Sequence, residues 1–259
     1  MILSSHGIVA SQIASFDADA VAFFSRVTTA GGSLSLTEKQ AVNQLVLDLK
    51  ANSLWSAMKA IYPMVGASAA ACAQNLKSSS FTGTFTSGWT FASTGVTPNG
   101  TSAYMDTNLN ISSNLSQNST HISIYSRTNI EGLLCDIGGG LSLPALNIFP
   151  NFNGGAYFRA NDAGGTAANI NTLGLFMANR ITSTESRNRI NGVLKIVTTA
   201  STGLQNANLF LSKGETNQFY SSRQNSFASI GDGLTDTEAS NFYTAVQAFQ
   251  TTLNRQIAP

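Results

Sequence analysis

The acids with the most suggestive spacing lie near the end of the chain, in Ser229-Ile-Gly-Asp-Gly-Leu-Thr-Asp-Thr-Glu238. Gly231-Asp-Gly with Asp236 and Glu238 behind it raises calcium coordination and phosphate binding. An EF-hand loop places oxygen ligands at alternate positions, a Gly at the sixth and a Glu at the twelfth. Counted from Asp232, the sixth position is Thr237 and the twelfth is Tyr243, so the ligand set fails. Neither the Walker pattern nor the dinucleotide glycine fingerprint is present. A helix start explains the same residues. Gly231-Asp-Gly makes the turn, Thr235 caps, and Glu238 three residues later closes a capping box, with both acids at the positive helix end. Ala239, Phe242, Val246, Phe249 and Leu253 then fall on one face of a helix over 235–254.

Nucleophilic catalysis has little to build on. The chain holds two histidines, His6 and His121, and no Gly-x-Ser-x-Gly elbow; Gly66-Ala-Ser-Ala-Ala70 lacks the closing glycine. His121 opens an alternating stretch, His-Ile-Ser-Ile-Tyr-Ser, and is expected as an ordinary sheet-face residue. Cys72 and Cys135 are the two cysteines. They read as small buried hydrophobes, with a single bridge as the other arrangement. Dispersed acids make no metal cluster, so no cofactor is expected; a calcium ion on loop carbonyls and Asp106 or Asp162 stands beside the plain reading of turn acids. Sugar binding needs flat aromatic faces beside amides and hydroxyls, a mixture found in Asn151-Phe-Asn-Gly-Gly-Ala-Tyr-Phe-Arg-Ala-Asn-Asp162. Asn151, Asn153, Tyr157 and Asp162 are the candidate contacts, against a turn between two core strands as the alternative.

Composition narrows the partners. Apolar residues are 42% of the chain and charged residues 10%, against roughly 25% charged in average domains. Ser, Thr and Asn supply the polar surface, a bias toward strands and turns over helices. A net charge of +1 with scattered Lys and Arg offers no basic stripe for nucleic acid. No apolar run approaches the roughly 18 residues of a membrane span, and Met1-Ile-Leu-Ser-Ser-His-Gly lacks a basic, signal-like start.

The elements that must hold these residues change character along the chain. Residues 1–14 match neither period and read as an arm; residues 15–65 read as a helical unit. One helix covers Asp17 to Val27. After Gly31-Gly32 a second begins at a Ser35–Glu38 capping box, with Val42, Leu45, Val46 and Leu49 as its apolar stripe. A third helical turn is expected over Leu54 to Tyr62, stopped by Pro63. From 66 to 259 the period falls toward two and turn residues recur, giving about ten strands. Those over Ser102 to Asp106, His121 to Thr128, Gly132 to Ile137 and Leu173 to Thr182 are typical, and Asn191-Gly192 predicts a type I′ hairpin. The expected fold is mostly β with helices: a two-sheet antiparallel β-sandwich with a small N-terminal helical unit, closed by the C-terminal helix.

Four further stretches carry a family likeness. They are Leu54-Trp-Ser-Ala-Met-Lys-Ala-Ile-Tyr-Pro63, Gly88-Trp-Thr-Phe-Ala-Ser-Thr-Gly-Val-Thr-Pro98, Leu115-Ser-Gln-Asn-Ser-Thr-His-Ile-Ser-Ile-Tyr125 and Phe227-Ala-Ser-Ile-Gly-Asp-Gly-Leu-Thr-Asp-Thr-Glu238. With Arg189-Ile-Asn-Gly-Val-Leu and Asn208-Leu-Phe-Leu-Ser they resemble laminin-G-like, concanavalin A-like sandwich domains, and more closely structural proteins of tailed phages, including the crAss-like group. The resemblance implies a jelly-roll sandwich on a virion, made in the host cytoplasm. It would be non-enzymatic and decorate a capsid or form a head fibre, with other virion proteins and host surface glycans as partners, as a homo-oligomer. A tail-associated receptor-binding lectin is the alternative. A polysaccharide hydrolase is the remote one: glucanases of this fold use acids at alternate positions of one strand, whereas Glu131 and Asp136 have the wrong spacing.

Overall fold

The computed structural model describes residues 15–140, 142–169, 171–214 and 218–257, so the expected arm at 1–14 lies outside the described residues. Helix α1 (Ala18–Thr29) starts where the Asp17 carboxylate accepts the Asp19 amide. Helix α2 (Leu36–Ala51) starts at the Ser35–Glu38 capping box, formed in both directions. The expected third helical turn is corrected. Only Trp55–Ala57 turns, as one 3₁₀ turn, and Met58–Tyr62 is strand β1. Its partner is a strand near the end of the chain, and the ladder it completes outweighs the local helical spacing.

The remaining strands are β2 (Thr84–Phe85), β3 (Trp89–Ala92), β4 (Gly95–Pro98), β5 (Met105–Asn110), β6 (Thr120–Ser126), β7 (Ile137–Gly139) and β8 (Ala145–Phe152). They continue with β9 (Gly155–Asp162), β10 (Gly165–Ala168), β11 (Gly174–Arg180), β12 (Ser186–Ile190), β13 (Val193–Val197), β14 (Asn208–Leu211) and β15 (Asn225–Gly231). One-turn helices α3 (Ala69–Cys72) and α4 (Ile111–Asn114) interrupt them, and α5 (Asp236–Thr252) ends the fold. The first sheet, A, runs β13-β12-β11-β6-β15-β4-β3, with β1 also paired to β15; the second, B, runs β10-β9-β8-β7-β14-β5-β2. All named pairings are antiparallel, giving the expected two-sheet sandwich.

Two expected strands shift because side chains claim their backbone groups. The Asn99 side chain accepts the amides of Thr101, Ser102 and Ala103, holding them in a turn, so β5 begins only at Met105. Residues 132–136 form a loop because the buried Arg223 guanidinium takes the carbonyls of Ile130, Gly132 and Leu134, which a ladder would otherwise use. The Asn191-Gly192 hairpin forms as expected, both residues having positive φ (49° and 78°) between Ile190 and Val193.

Side-chain alternation builds two cores. Ile122, Ile124, Phe176 and Ile230 of sheet A meet Ile148, Phe158, Leu209 and Leu211 of sheet B. The other face of sheet A, with Tyr125, Leu175, Met177 and Phe227, is covered by Phe23 of α1, Leu45 of α2, and Phe242 and Phe249 of α5. The stripes expected on α2 and α5 supply this second core, Leu253 being only partly buried. The molecule is therefore layered as helices, sheet A, sheet B, and the three long helices leave the outer face of sheet B to shorter segments. No described helix is long and apolar enough to cross a membrane.

Candidate functional site

The acidic motif is structural. Thr235 and Glu238 form the full capping box of α5. Asp236 joins Arg187 and Arg189, the latter at 2.7 Å, tying the helix start to β12 and holding its carboxyl below the ordinary range. The Asp232 carbonyl lies 2.6 Å from His121 Nδ1, and Ser229 Oγ lies 3.0 Å from Nε2. His121 is fully buried, which pushes its pKa down to about 4; a neutral imidazole engaged at both nitrogens braces β6, β15 and the turn before α5.

Two of the four expected sugar contacts are interior. Asp162 is fully buried and ion-paired with Arg180, and its other oxygen accepts the amides of Ala160 and Gly164. Arg180 in turn donates to the Ala160, Thr182 and Thr199 carbonyls. Fully buried, with both carboxylate oxygens engaged inside the protein, Asp162 is not a surface group. Asn151 is also buried, donating to the Asn169 carbonyl at 3.1 Å and accepting the Gly154 amide. Asn153 sits exposed in the β8–β9 turn at φ 52°, and Tyr157 is half-buried on the outer face of sheet B, its hydroxyl donating to the Ala163 carbonyl at 2.7 Å.

Cross-strand register shows what surrounds Tyr157. It stands opposite Phe149, and Arg159 stands opposite Asn147. Gly138 lies between Asn147 and Phe210. A Cβ on Gly138 would come within 2.8 Å of both Asn147 Cβ and Cys135 Sγ, so a glycine is needed for the strands to close there. Phe219 also reaches this face, meeting Phe149 edge-on at 5.7 Å. Leu133, Phe149, Tyr157, Arg159, Gln218 and Phe219 line a cleft of about 320 Å³. Phe149, 2% exposed, is its floor; Tyr157 and Phe219 are its half-buried walls. The Arg159 guanidinium lies over the Tyr157 ring, 5.0 Å from its centroid, and Nε donates to the Ala163 carbonyl. Flat rings flanked by an amide and a guanidinium suit a polar ring with an apolar face.

The floor is braced from below. Asp136 and Arg223 are both fully buried and paired at 3.0 Å, and Ser221 Oγ donates to the same Asp136 oxygen. Arg223 also reaches the Asn151 carbonyl, tying the cleft-bearing strand β8 to the stretch that follows Phe219. Burial raises the Asp136 carboxyl above its ordinary range despite Arg223. A second cluster lies further along the face. Tyr104 and Phe210 meet edge-on at 5.6 Å, and the Lys213 ammonium sits 3.6 Å and 4.2 Å from their ring centroids.

A wider cleft of about 450 Å³ opens at the helical edge between Ser35, Thr37, Gly66 and Asn254. Its carboxylate, Glu38, is already bound by Ser35 and the Gly66 amide, so it offers no free charged group. Cys72 and Cys135 are separate, buried thiols, Cys72 pushed up to about 12 by burial, which keeps it unreactive. Glu131 and Asp136 do not form a catalytic pair: Asp136 is locked to Arg223, while Glu131 is exposed and accepts the Gly154 amide. Among the described residues no group of three or more His, Cys, Asp or Glu could hold a metal ion.

Most of the cleft escapes linear reading. Tyr157 and Arg159 lie within the stretch singled out above, but Leu133, Gln218 and Phe219 come from distant loops. The usable signal was the alternation in Leu146-Asn-Ile-Phe149, where Leu146 and Ile148 face the core and Asn147 and Phe149 face out.

No family model and no curated protein matches the chain. Solved structures share its fold at low identity. Domain 4 of AbnA, an extracellular arabinanase from Geobacillus stearothermophilus in complex with arabinotriose, has a TM-score of 0.52 at 15% identity, covering 72% of this chain and 98% of that one. A Trypanosoma rangeli sialidase mutant displaying trans-sialidase activity has a TM-score of 0.53 at 8% identity, covering 83% and 40%. An HCR/D mutant has a TM-score of 0.52 at 10% identity, covering 74% and 53%. The chain thus spans about half or less of the latter two, and the likeness is one of fold.

Proposed function

We propose that this chain is a non-enzymatic, glycan-binding sandwich carried on a virion, with the outer face of sheet B as its sugar-binding surface. The observation that carries the glycan reading is the cleft in which Tyr157 and Phe219 flank Phe149, with Gln218 and Arg159 at its rim, on the face that the long helices leave uncovered. The bound arabinotriose in the arabinanase domain belongs to that protein; it is a precedent for sugar on a sandwich of this fold. Stacking needs rings held rigid, and the Tyr157 hydroxyl bond and the Arg223 brace provide that.

The non-catalytic reading is supported by the state of the acids and histidine. Asp136 and Asp162 are consumed in buried pairs with arginine, and His121 is engaged at both ring nitrogens beneath the helix layer. The two-carboxylate geometry of glycoside hydrolysis is therefore unmet by Glu131 and Asp136.

Titrating the isolated chain with a panel of bacterial surface oligosaccharides tests the glycan reading. Binding of at least one, weakened about tenfold or more by Tyr157→Ala, is expected, tenfold being about 1.4 kcal/mol, the scale of losing one aromatic anchor from a binding site. No binding across the panel overturns it. The virion placement rests on the phage-like stretches, with a capsid-decorating or head-fibre protein as the first reading. The same cleft favours a tail-associated receptor-binding lectin as the second. Labelling the chain in purified particles separates head from tail, and its absence from particles overturns both.

A further inference from the structure

The Lys213 ammonium is bound in an unusual way. The residue is 6% exposed, yet among the described residues no carboxylate lies within ion-pair distance and no acceptor takes its N–H groups. Its neighbours are the faces of Tyr104 and Phe210, with the Tyr220 ring 6.5 Å from Tyr104. The carboxylate acting on it at longer range, Asp106, is already bonded by Asn208 and the Asn108 amide. An ammonium is strongly hydrated, and two ring faces replace only part of what water gives it. Burial correspondingly lowers its pKa. Such a cation, aromatic-clamped and with donors to spare, is prepared for an anion.

Its position relative to the cleft is fixed by register. Phe210 stands on β14, and β7 separates that strand from β8, which carries Phe149. Two strand spacings across and two residues along put Phe210 roughly 12 Å from Phe149, with Tyr157 one strand further, the reach of a short oligosaccharide. Both lie on the outer face of sheet B; between them Gly138 and Asn147 are buried, so a ligand joining the two clusters bridges over that row.

We propose that Lys213, clamped between Tyr104 and Phe210, is a subsite for an anionic sugar substituent, a carboxylate or a sulfate, on an oligosaccharide another residue of which stacks in the Tyr157–Phe219 cleft. This rests on the glycan reading above and deepens it from sugars in general to acidic ones. The clamp positions the ammonium, and the anion accepts hydrogen bonds from Nζ without having to displace an internal partner.

The test compares matched oligosaccharides, one uronate-containing, one sulfated and one neutral, titrated into the full chain, into Lys213→Met and into Lys213→Arg, with thermal melting to verify folding. Wild type is expected to prefer one or both acidic ligands, the preference falling as salt rises; which of the two is bound identifies the source of the charge. Lys213→Met should lose about tenfold toward the acidic ligand, the scale of one charge-assisted hydrogen bond, and Lys213→Arg should keep part of the preference. An undiminished acidic preference in Lys213→Met, or an equal loss toward acidic and neutral ligands, overturns the subsite while leaving the glycan reading standing. Absence of binding to all three ligands by wild type overturns both.

Discussion

The outer face of sheet A turns Tyr125, Leu175, Met177 and Phe227 toward three helices and is closed, while that of sheet B turns Phe149, Tyr157, Arg159 and Phe210 toward loop residues such as Phe219 and toward solvent. Both faces are aromatic. What differs is the partner: on sheet A the rings meet Phe242 and Phe249 of an amphipathic helix, whereas on sheet B they meet each other, two cations and a loop. Apolar surface matched by an apolar stripe becomes core; similar surface without a stripe stays available to a ligand. One face should therefore govern stability and the other binding, and variants can break that division.

The largest expected effect is on the covered face. Phe242→Ala removes a fully buried ring beside Phe227 and His121 and should cost about 3–5 kcal/mol in denaturant unfolding. A loss below about 1 kcal/mol would show that the helix layer is not core.

Next is the pH response of His121 under that layer. Its folded pKa, about 4, lies below the ordinary 6.5. The unfolded state therefore takes up the proton first as pH falls. Stability from this residue is complete above about pH 6.5 and is lost as pH drops toward 4, by up to about 3 kcal/mol. Asp136, raised by burial, acts in the opposite direction as pH falls. Comparing wild type with His121→Gln at pH 7 and pH 4.5 isolates the histidine: the variant should show the smaller fall, and equal falls would refute the assignment.

Thr235→Ala, which removes the α5 cap, is expected to cost about 1 kcal/mol by the same measurement. Smallest is Tyr157→Ala on the open face, expected to change stability by less than about 1 kcal/mol while weakening glycan binding. A stability loss as large as that of Phe242→Ala would erase the contrast between the faces.

The sequence was most legible where neighbouring residues suffice. Both capping boxes, the α2 and α5 stripes and the Asn191-Gly192 hairpin depend on residues a few positions apart, and each forms as its spacing requires. Reading failed where distant groups compete. Met58–Tyr62 becomes a strand because Ala228–Gly231 offers it a ladder, and residues 132–136 stay a loop because Arg223 claims their carbonyls. β8 was missed altogether, since Pro144 and Pro150 punctuate a segment whose strand pairing is set by its neighbours β7 and β9. Among the candidate sugar contacts, Tyr157 proves half-buried on the outer face of sheet B. Residue type could not show that Asp162 is spent on Arg180, eighteen residues further along.

Composition and periodicity alone determined a two-sheet sandwich with helical segments before and after it in the chain, because alternation, caps and turn residues act over a few residues and need no partner to be recognised. Only the tertiary structure decided which aromatic rings become core and which stay open. That choice depends on whether an apolar helix face lies opposite, and on where Arg180, Arg223 and Lys213 find, or lack, a counter-charge.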